Sequence, residues 1–222
     1  MSQPEGAAIR LAFVDVDGTL LDCSSERLFL RHLARTGGIG FRSALRFLAG
    51  YAIHPGRTRR FGPGWNRGYL EGMRRDVAES IAGRFARETL AARIRPEVRL
   101  LLAGLSEEGF RIVLLSASLS FLVDPLREEA GAAEAICSVP EDVDGVLTGR
   151  LAGERPWGSS KAGLAARYAS AAGSPLVDCC ALGDSDSDIP LLSSCGSAIA
   201  VHPSAGLRMA AARRGWKVIE GR

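Results

Sequence analysis

The sequence predicts an α/β fold, in which a doubly wound and mostly parallel sheet carries an all-helical cap inserted after the first strand. From residue 96 onward, short apolar runs alternate with helical segments, which is typical of a parallel sheet with helices on both faces. Between residues 24 and 91 the apolar residues recur at helical spacing instead, interrupted at 54–64 by glycine and proline. We therefore expect a core domain of residues 1–21 and 96–222, and a helical cap of residues 22–95.

The first predicted strand ends at two carboxylates. Residues 11–14 (LAFV) form an apolar run without a polar break, typical of a strand buried on both faces. Asp15 and Asp17 come next, and Gly18 then lets the chain turn. Open α/β sheets bind ligands at the carboxyl ends of their strands, so both carboxylates are expected at a ligand site. A hard divalent cation such as Mg²⁺, or a shared proton, would offset their repulsion. A solvated Asp-Gly turn is the alternative for this motif alone.

The rest of the chain supplies the other elements of the predicted sheet. Further strands are expected at residues 111–115, 135–138, 176–182, 197–201 and 217–219, with a small hairpin at 143–151. Helices are expected at residues 97–108, 121–130, 159–172, 189–194 and 204–213. Each strand is thus followed by a helix or a short hairpin, which completes the doubly wound arrangement.

Composition indicates a globular protein and excludes several classes of site. The chain has 222 residues, of which 46% are hydrophobic and 24% charged. No apolar run approaches the roughly 20 residues of a membrane-spanning helix. The segment before the first strand has no apolar secretory signal, so we expect a cytoplasmic protein without stable membrane association. The five cysteines and three histidines form no metal-ligand spacing, which disfavours a disulfide framework and a zinc site.

Charge is distributed unevenly between the predicted domains. Residues 22–95 contain 15 Arg and 6 acidic residues, a net charge of +9, so the remainder carries −6. A basic cap over an acidic core suits an anionic substrate held between them, although solvated surface arginine is the alternative for any single residue.

Residues 41–53 mix Phe, Leu and Tyr with Arg42 and Arg46, and core packing is favoured there over an interfacial membrane helix. The arginines lack interleaved aromatic residues, so no nucleic-acid partner is expected.

Polar side chains follow several predicted strands. Ser116 ends the second strand, and Asp184 and Asp188 follow the fourth. Lys161 lies at a loop-to-helix junction on the same edge of the sheet. The chain uses 26 Arg and only two Lys, so a lysine here is a notable choice, since a compact ammonium suits a crowded site with a carboxylate and a phosphoryl oxygen. The other lysine, Lys217, shows that a lysine can also occur by chance, without a role in a site.

In this order, the motifs resemble those of the haloacid dehalogenase superfamily of aspartate-nucleophile phosphatases. The four motifs are DVDGTL at 15–20, LLSAS at 114–118, Lys161, and GDSDSDIPLL at 183–192. The helical insertion and the tail at 200–216 most resemble the subfamily IB branch that contains phosphoserine phosphatase. The resemblance implies a Rossmann-like core, Mg²⁺ as cofactor, and a phosphatase that acts on a small phosphorylated metabolite as a monomer or homodimer.

The resemblance also implies the roles of the acidic residues. Asp15 would attack phosphorus and form an aspartyl-phosphate. Asp17 would protonate the leaving oxygen and then activate water. Carboxylate oxygens of Asp15 and Asp184, with the main-chain carbonyl of Asp17, would bind Mg²⁺. Asp188 would orient Lys161 or a metal-bound water.

The phosphoryl group itself would be held by other residues of the same motifs. The resemblance implies that Ser116 and Lys161 bind phosphoryl oxygens, together with main-chain N–H groups around Gly18. The acid at position 17 serves phosphate chemistry and is lacking in the carbon-halogen branch, so dehalogenation is disfavoured. The clustered Arg57, Arg59 and Arg60 are candidates for specificity contacts from a cap that closes over the substrate.

Several positions depart from the pattern of phosphoserine phosphatases. Ser24 occupies the place of the Glu that holds the substrate amine, and Glu26 lies two residues further on. Gly18 replaces the usual Ser, and Ser187 the usual Asn. Phosphoserine is therefore an alternative rather than the expected substrate. The same residues would also suit phosphoryl transfer to an acceptor other than water, or a non-catalytic phosphate-binding module.

Overall fold

The computed structural model describes residues 9–53, 56, 59 and 65–220. Within these residues one sheet contains seven strands. They are β1 (Arg10–Val14), β2 (Phe110–Leu119), β3 (Glu134–Val143), β4 (Val146–Ala152), β5 (Cys180–Gly183), β6 (Ser197–Val201) and β7 (Lys217–Ile219). Their order across the sheet is β4-β3-β2-β1-β5-β6-β7, which places the first strand at the centre.

The strand register brings three motifs to one edge of the sheet. Val14 pairs in parallel with Leu114 of β2 and with Leu182 of β5. The carboxyl ends of β1 and β5 therefore lie side by side, with β2 next to β1, and Asp15 and Asp184 follow these two ends directly. All strand pairs are parallel except β3 and β4, which form an antiparallel hairpin at the edge. The predicted mostly parallel α/β sheet is confirmed.

Helices cover both faces of the sheet. They are α1 (Ser25–Thr36), α2 (Phe41–Ile53), α3 (Arg75–Phe85), α4 (Pro96–Glu107), α5 (Ser120–Val123), α6 (Ser159–Ala171), α7 (Ile189–Ser194) and α8 (Ala205–Arg214). Because side chains alternate along a strand, Ala12 and Val14 of β1 pack with α4 and α5, whereas Leu11 and Phe13 pack with α6, α7 and α8. Two apolar layers thus enclose β1 from both sides.

The helices between β1 and α4 join the same apolar layer as α4. Phe29 and Leu33 of α1 are fully buried together with Ala82 and Phe85 of α3, and the rings of Phe29 and Phe85 lie 5.5 Å apart. The chain continues from α3 through a π-helical turn at Ala86–Leu90 and a 3₁₀ turn at Ala91–Arg93. This packing ties the helical segment to the core. The domain boundaries at residues 22 and 95 stay a prediction.

Four predicted elements differ in extent from those in the structure. The strand expected at 176–182 begins only at Cys180, because Leu176–Asp178 form a 3₁₀ turn that starts after Pro175. The helix expected at 121–130 is interrupted after Val123, since Pro125 lacks the N–H needed to continue it. The second strand continues past Ser116, and the third runs into the hairpin, so the ends predicted at residues 115 and 138 are wrong.

The predicted core packing of residues 41–53 is wrong for most of α2. None of its side chains is fully buried, and Phe47 only partly packs against the apolar core. Of the candidate specificity arginines, Arg59 is exposed, whereas Arg57 and Arg60 lie outside the described residues. Over the described parts of the chain, no helix is both long enough and apolar enough to cross a bilayer.

Truncation of Phe29 tests the contact between α1 and α3. We expect Phe29→Ala to lower the free energy of unfolding by about 3–5 kcal/mol, because it leaves a cavity in a fully buried aromatic pair. Urea denaturation followed by circular dichroism measures this change. Leu100→Ala on α4 is the control, since that side chain is 75% exposed, and should change stability by less than about 0.5 kcal/mol. Equal effects of the two substitutions would contradict this packing.

Candidate active site

Asp15 lies at the carboxyl end of the central strand β1 and is almost fully buried. Its main-chain N–H donates to the carbonyl of Leu182, which extends the pairing with β5 by one residue. The Oδ1 atom accepts a hydrogen bond from Lys161 Nζ at 2.5 Å, and the Oδ2 atom accepts one from Thr19 Oγ1 at 3.1 Å. Burial raises the pKa of the Asp15 carboxyl well above its usual range, and the Lys161 ammonium partly offsets this. The side chain is therefore held rigidly in one orientation.

Asp184 reaches the same place from the end of β5. Thr19 Oγ1 lies 3.3 Å from its Oδ1 atom, so this hydroxyl is within hydrogen-bond distance of both Asp15 and Asp184. Gly18 has a φ of +89°, and a Cβ at this position would lie 2.3 Å from Asp184 Oδ2. Only glycine allows both this backbone conformation and the close approach of the carboxylate. The pKa of Asp184 is raised to about 6, mainly by burial and secondly by repulsion from Asp188.

Lys161 occupies the first turn of α6 and is 3% exposed. Its Nζ atom donates to Asp15 Oδ1 and, at 2.6 Å, to Asp188 Oδ1. Burial alone would lower the pKa of the ammonium, but the two carboxylates outweigh burial and raise it. Asp188 is fully buried, and its Oδ2 atom accepts from the main-chain N–H and the hydroxyl of Ser185. Asp188 thus fixes the position of the ammonium.

The three carboxylates form a candidate cation site. Asp15, Asp184 and Asp188 each offer an oxygen, and these oxygens all lie within 4.8 Å of one another. The nearby Lys161 supplies one positive charge against three carboxylates, which leaves an excess of negative charge in a largely buried place. Hard carboxylate oxygens at this spacing suit Mg²⁺ better than a soft metal. The residues present therefore fit the cofactor that the sequence predicts.

Asp17 points away from these carboxylates. Its Oδ2 atom accepts hydrogen bonds from the hydroxyls of Ser24, at 3.2 Å, and Ser118, at 2.9 Å, while Oδ1 accepts from the main-chain N–H of Ser25 at 3.1 Å. The side chain of Asp17 therefore faces the cap.

Two adjoining cavities meet at Asp17. The smaller one has a volume of about 160 Å³ and is lined by all the site residues predicted from the motifs except Gly18. Ser116, which is almost fully buried, is one of them. The larger one, of about 290 Å³, lies under the cap between α1, α2 and the loop after β4. Asp17, Ala117, Ser118 and Trp157 line both cavities, so the two adjoin. The smaller cavity is the polar end of the site, and the larger one is its partly apolar end.

A buried ion pair forms one wall of the larger cavity. Arg67 is fully buried and donates from Nη2 to Glu26 Oε2 at 2.7 Å and to the carbonyl of Ala117 at 3.1 Å. The hydroxyl of Tyr69 donates to Glu26 Oε1 at 3.0 Å. Burial raises the pKa of Glu26, and the Arg67 charge opposes that rise. At this wall Arg155 stacks on the Trp157 ring, with 5.7 Å from its guanidinium carbon to the ring centroid.

Sequence reasoning located the polar end of the site and missed several of its partners. The structure brings together Asp15, Asp184, Asp188 and Lys161, while Ser116 lines the same cavity. Thr19 and Ser118 were not predicted as site residues, although each lies within one of the four motifs and its buried hydroxyl needs a partner. Arg67 and Tyr69 belong to a cap segment without periodicity, so no local pattern could single them out.

A Rossmann-like α/β fold with clustered carboxylates and a buried lysine at the carboxyl ends of its central strands defines a hydrolase of a known class. Residues 12–193 match the family described as haloacid dehalogenase-like hydrolase. The chain therefore belongs to this family, and the predicted superfamily is confirmed.

The relatives refine the comparison. The chain is 33% identical to phosphoserine phosphatase SerB1 of Mycobacterium tuberculosis strain H37Rv, over 97% of this chain and 72% of that protein. It is 31% identical to the probable phosphatase Rv3661 of the same strain, over 97% and 78%. The expected enzyme class, a phosphoric monoester hydrolase close to the phosphoserine phosphatase branch, agrees with these relatives.

Solved structures share the fold. A protein of unknown function from Bordetella pertussis Tohama I has a TM-score of 0.80 and 28% identity, covering 96% of this chain and 99% of that one. Phosphoserine phosphatase in its apo form has a TM-score of 0.67 and 20% identity, covering 96% and 94%. The second likeness concerns the fold alone.

Replacement of Lys161 tests the charge balance of the site. In buffer containing a chelator, we expect Lys161→Met to lower the free energy of unfolding by about 3–5 kcal/mol. The substitution removes the ammonium that neutralises the buried carboxylates of Asp15 and Asp188. Urea denaturation at neutral pH measures the loss. Lys217→Met is the matched control at the only other lysine, which is exposed, and should stay within about 0.5 kcal/mol of the parent protein. A Lys161→Met protein as stable as the parent would contradict this role.

Proposed function

We propose that the protein is a Mg²⁺-dependent phosphatase that hydrolyses a small phosphomonoester through an aspartyl-phosphate on Asp15. The observation that carries the proposal is the arrangement around Asp15: a buried carboxylate held by Lys161 and Thr19, with Asp17 at the opening toward the cap. A nucleophile, a proton donor and phosphate-binding groups thus line one cavity.

Asp15 is the nucleophile in this proposal. One of its carboxylate oxygens forms a bond to phosphorus while the bond from phosphorus to the ester oxygen breaks. Lys161 and Thr19 fix the carboxylate so that it cannot rotate away from the incoming phosphoryl group. Since two anions meet in this step, the positive charge of Lys161 also lowers their repulsion.

Bound Mg²⁺ would be held by the carboxylates of Asp15 and Asp184 and by the main-chain carbonyl of Asp17, and would neutralise charge on the phosphoryl group. Asp188 takes a different part: its Oδ1 atom accepts from Lys161, and its Oδ2 atom accepts both the main-chain N–H and the hydroxyl of Ser185, which fixes the carboxylate against the ammonium. It is the residue that positions the ammonium. Ser116, which lines the same cavity, would bind one of the remaining phosphoryl oxygens. The main-chain N–H of Gly18, also expected to bind phosphate, instead donates to the carbonyl of Cys23 at 3.2 Å.

Asp17 is the proton donor and acceptor. Its carboxylate lies on the cap side of the site, where an ester oxygen would leave, and three hydrogen bonds fix its orientation. In the first step it gives a proton to the leaving oxygen, and in the second it takes one from the water that attacks phosphorus. The water restores Asp15 and releases inorganic phosphate.

The larger cavity would hold the leaving group. Arg27 and Arg155 line it and Arg67 lies directly behind its wall, which supports an anionic substrate. Burial lowers the pKa of Arg155 to about 10, so this side chain still carries its charge at neutral pH. The volume of about 290 Å³ is near the lower end for pockets that bind small organic molecules, roughly 300–1,000 Å³.

Phosphoserine is the second candidate substrate, and the names of the relatives favour it. In the structure, the two residues considered for binding the ammonium group of phosphoserine, Ser24 and Glu26, already form other hydrogen bonds. Ser24 donates to Asp17, and both oxygens of Glu26 already accept from Arg67 and Tyr69.

A panel of phosphorylated metabolites that includes phosphoserine, assayed with Mg²⁺ and again with a chelator, tests the substrate class. A kcat/KM for phosphoserine at least tenfold above that for amine-free phosphomonoesters would favour this second candidate.

Two further functions would use the same residues. Transfer of the phosphoryl group to another acceptor would proceed through the same aspartyl-phosphate, and an alkyl phosphate product in the presence of an added alcohol would reveal it. A non-catalytic phosphate-binding module would need neither Asp15 nor Asp17. The retention of both acids, with full hydrogen bonding, supports an enzyme instead.

The Asp15→Asn substitution tests the nucleophile. We expect phosphate release to fall on the order of 10⁴-fold or more, because an amide oxygen forms no stable ester with phosphorus. For Asp17→Asn we expect a loss of about 10²–10⁴-fold, the usual contribution of a general acid. Phosphate release with Mg²⁺ is the measurement, and chelation should abolish it reversibly. Asp144→Asn, in an exposed turn where Asn also tolerates the φ of 51°, is the control. Undiminished turnover by Asp15→Asn would refute the proposal.

A further inference from the structure

The outward face of α2 is apolar and exposed. Phe41, Leu45 and Leu48 recur at helical spacing and are 78%, 52% and 65% exposed, and Ile53 at the end of the helix is 68% exposed. Residues spaced by three and four lie on one side of a helix, so the first three form a continuous stripe. A single exposed leucine is ordinary, but a stripe along a whole helix is the pattern of a contact surface.

The opposite side of α2 is attached to the protein. Ser43 donates to the carbonyl of Glu71 at 2.8 Å, Asn66 Nδ2 donates to the carbonyl of Phe47 at 2.8 Å, and the rings of Phe47 and Tyr69 lie 5.4 Å apart. These contacts fix the helix so that the apolar stripe faces outward. The inward side chains Phe47 and Tyr51 line the larger cavity of the site.

The segment that carries this stripe is strongly basic. Residues 27–70 contain nine Arg and no Asp, Glu or Lys. On α2 itself, Arg42 and Arg46 are exposed beside the stripe, although Arg46 forms an ion pair with Glu71. A second copy of the chain is a poor partner for this face, because two surfaces of the same positive charge would meet.

We propose that the outward face of α2 docks on an anionic lipid bilayer surface. An interfacial helix combines an apolar face, which enters the boundary between headgroups and acyl chains, with arginine or lysine that attracts anionic lipid. The stripe of Phe41, Leu45 and Leu48 supplies the first part, and the exposed Arg42 and Arg46 beside it supply the second. This attachment is peripheral and goes beyond the proposed phosphatase activity. It places the membrane on one side of α2 and the leaving-group cavity on the other.

Vesicle co-sedimentation tests the docking surface. We expect the full chain to sediment with vesicles of equimolar phosphatidylcholine and phosphatidylglycerol, but not with phosphatidylcholine alone, and to be released by high salt. The double variant Leu45→Ser/Leu48→Ser should bind anionic vesicles on the order of tenfold more weakly, since two apolar side chains no longer enter the interface. Phe41→Ser provides a second variant at the exposed start of the helix.

Matched controls separate the stripe from exposed apolar residues in general. Leu100→Ser and Val177→Ser replace side chains that are 75% and 73% exposed elsewhere on the surface, and should leave vesicle binding unchanged. Hydrolysis of a water-soluble phosphomonoester should be the same for the parent protein and the α2 variants, because Leu45 and Leu48 do not line the site. The proposal is overturned if the chain fails to bind anionic vesicles, if the α2 variants bind as well as the controls, or if size-exclusion chromatography shows a dimer that the α2 variants disrupt.

Discussion

A buried ammonium between two buried carboxylates is the interaction on which the site depends. Lys161 Nζ lies 2.5 Å from Asp15 and 2.6 Å from Asp188, and all three side chains are almost inaccessible to water. Removing one of these charges would leave the others uncompensated in a medium of low dielectric constant. The same arrangement orients Asp15 toward the cavity and leaves net negative charge beside Asp184, where a divalent cation would be attracted. Stability of the site and its chemistry therefore rest on the same charges.

The geometry around this ion pair comes from the sheet and from glycine. β1, β2 and β5 are neighbours in register, so Asp15 and Asp184, which follow β1 and β5, meet Ser116 of β2 in one place without long loops. The turn after β1 must then pass close to Asp184. Gly18 meets this requirement, because any side chain at this position would overlap the carboxylate. Ser in place of Gly18 would require a different turn here.

The sequence was sufficient to predict the α/β class and the polar end of the site, for a physical reason. Parallel strands are short apolar runs, and whatever follows them lies at a known edge, so the positions of Asp15 and Asp184 could be deduced without coordinates. Local chemistry explains where the prediction was wrong. Leu176 and Val177 are apolar as a strand would be, yet they form a turn after Pro175, and Pro125 ends a helix whose apolar spacing continues past it.

The leaving-group end could not be predicted in this way, because its walls come from segments far apart in the chain. Glu26 belongs to α1, Phe47 to α2, Tyr69 to a 3₁₀ turn and Trp157 to the loop after β4. Their proximity follows from how the cap packs on the core, which no single stretch of sequence encodes. Residues that follow the parallel strands are therefore predictable from local sequence, whereas the walls of the larger cavity depend on tertiary packing. α2 belongs to both the cavity and the surface, since Phe47 lines the cavity and Leu45 and Leu48 on its other side are exposed.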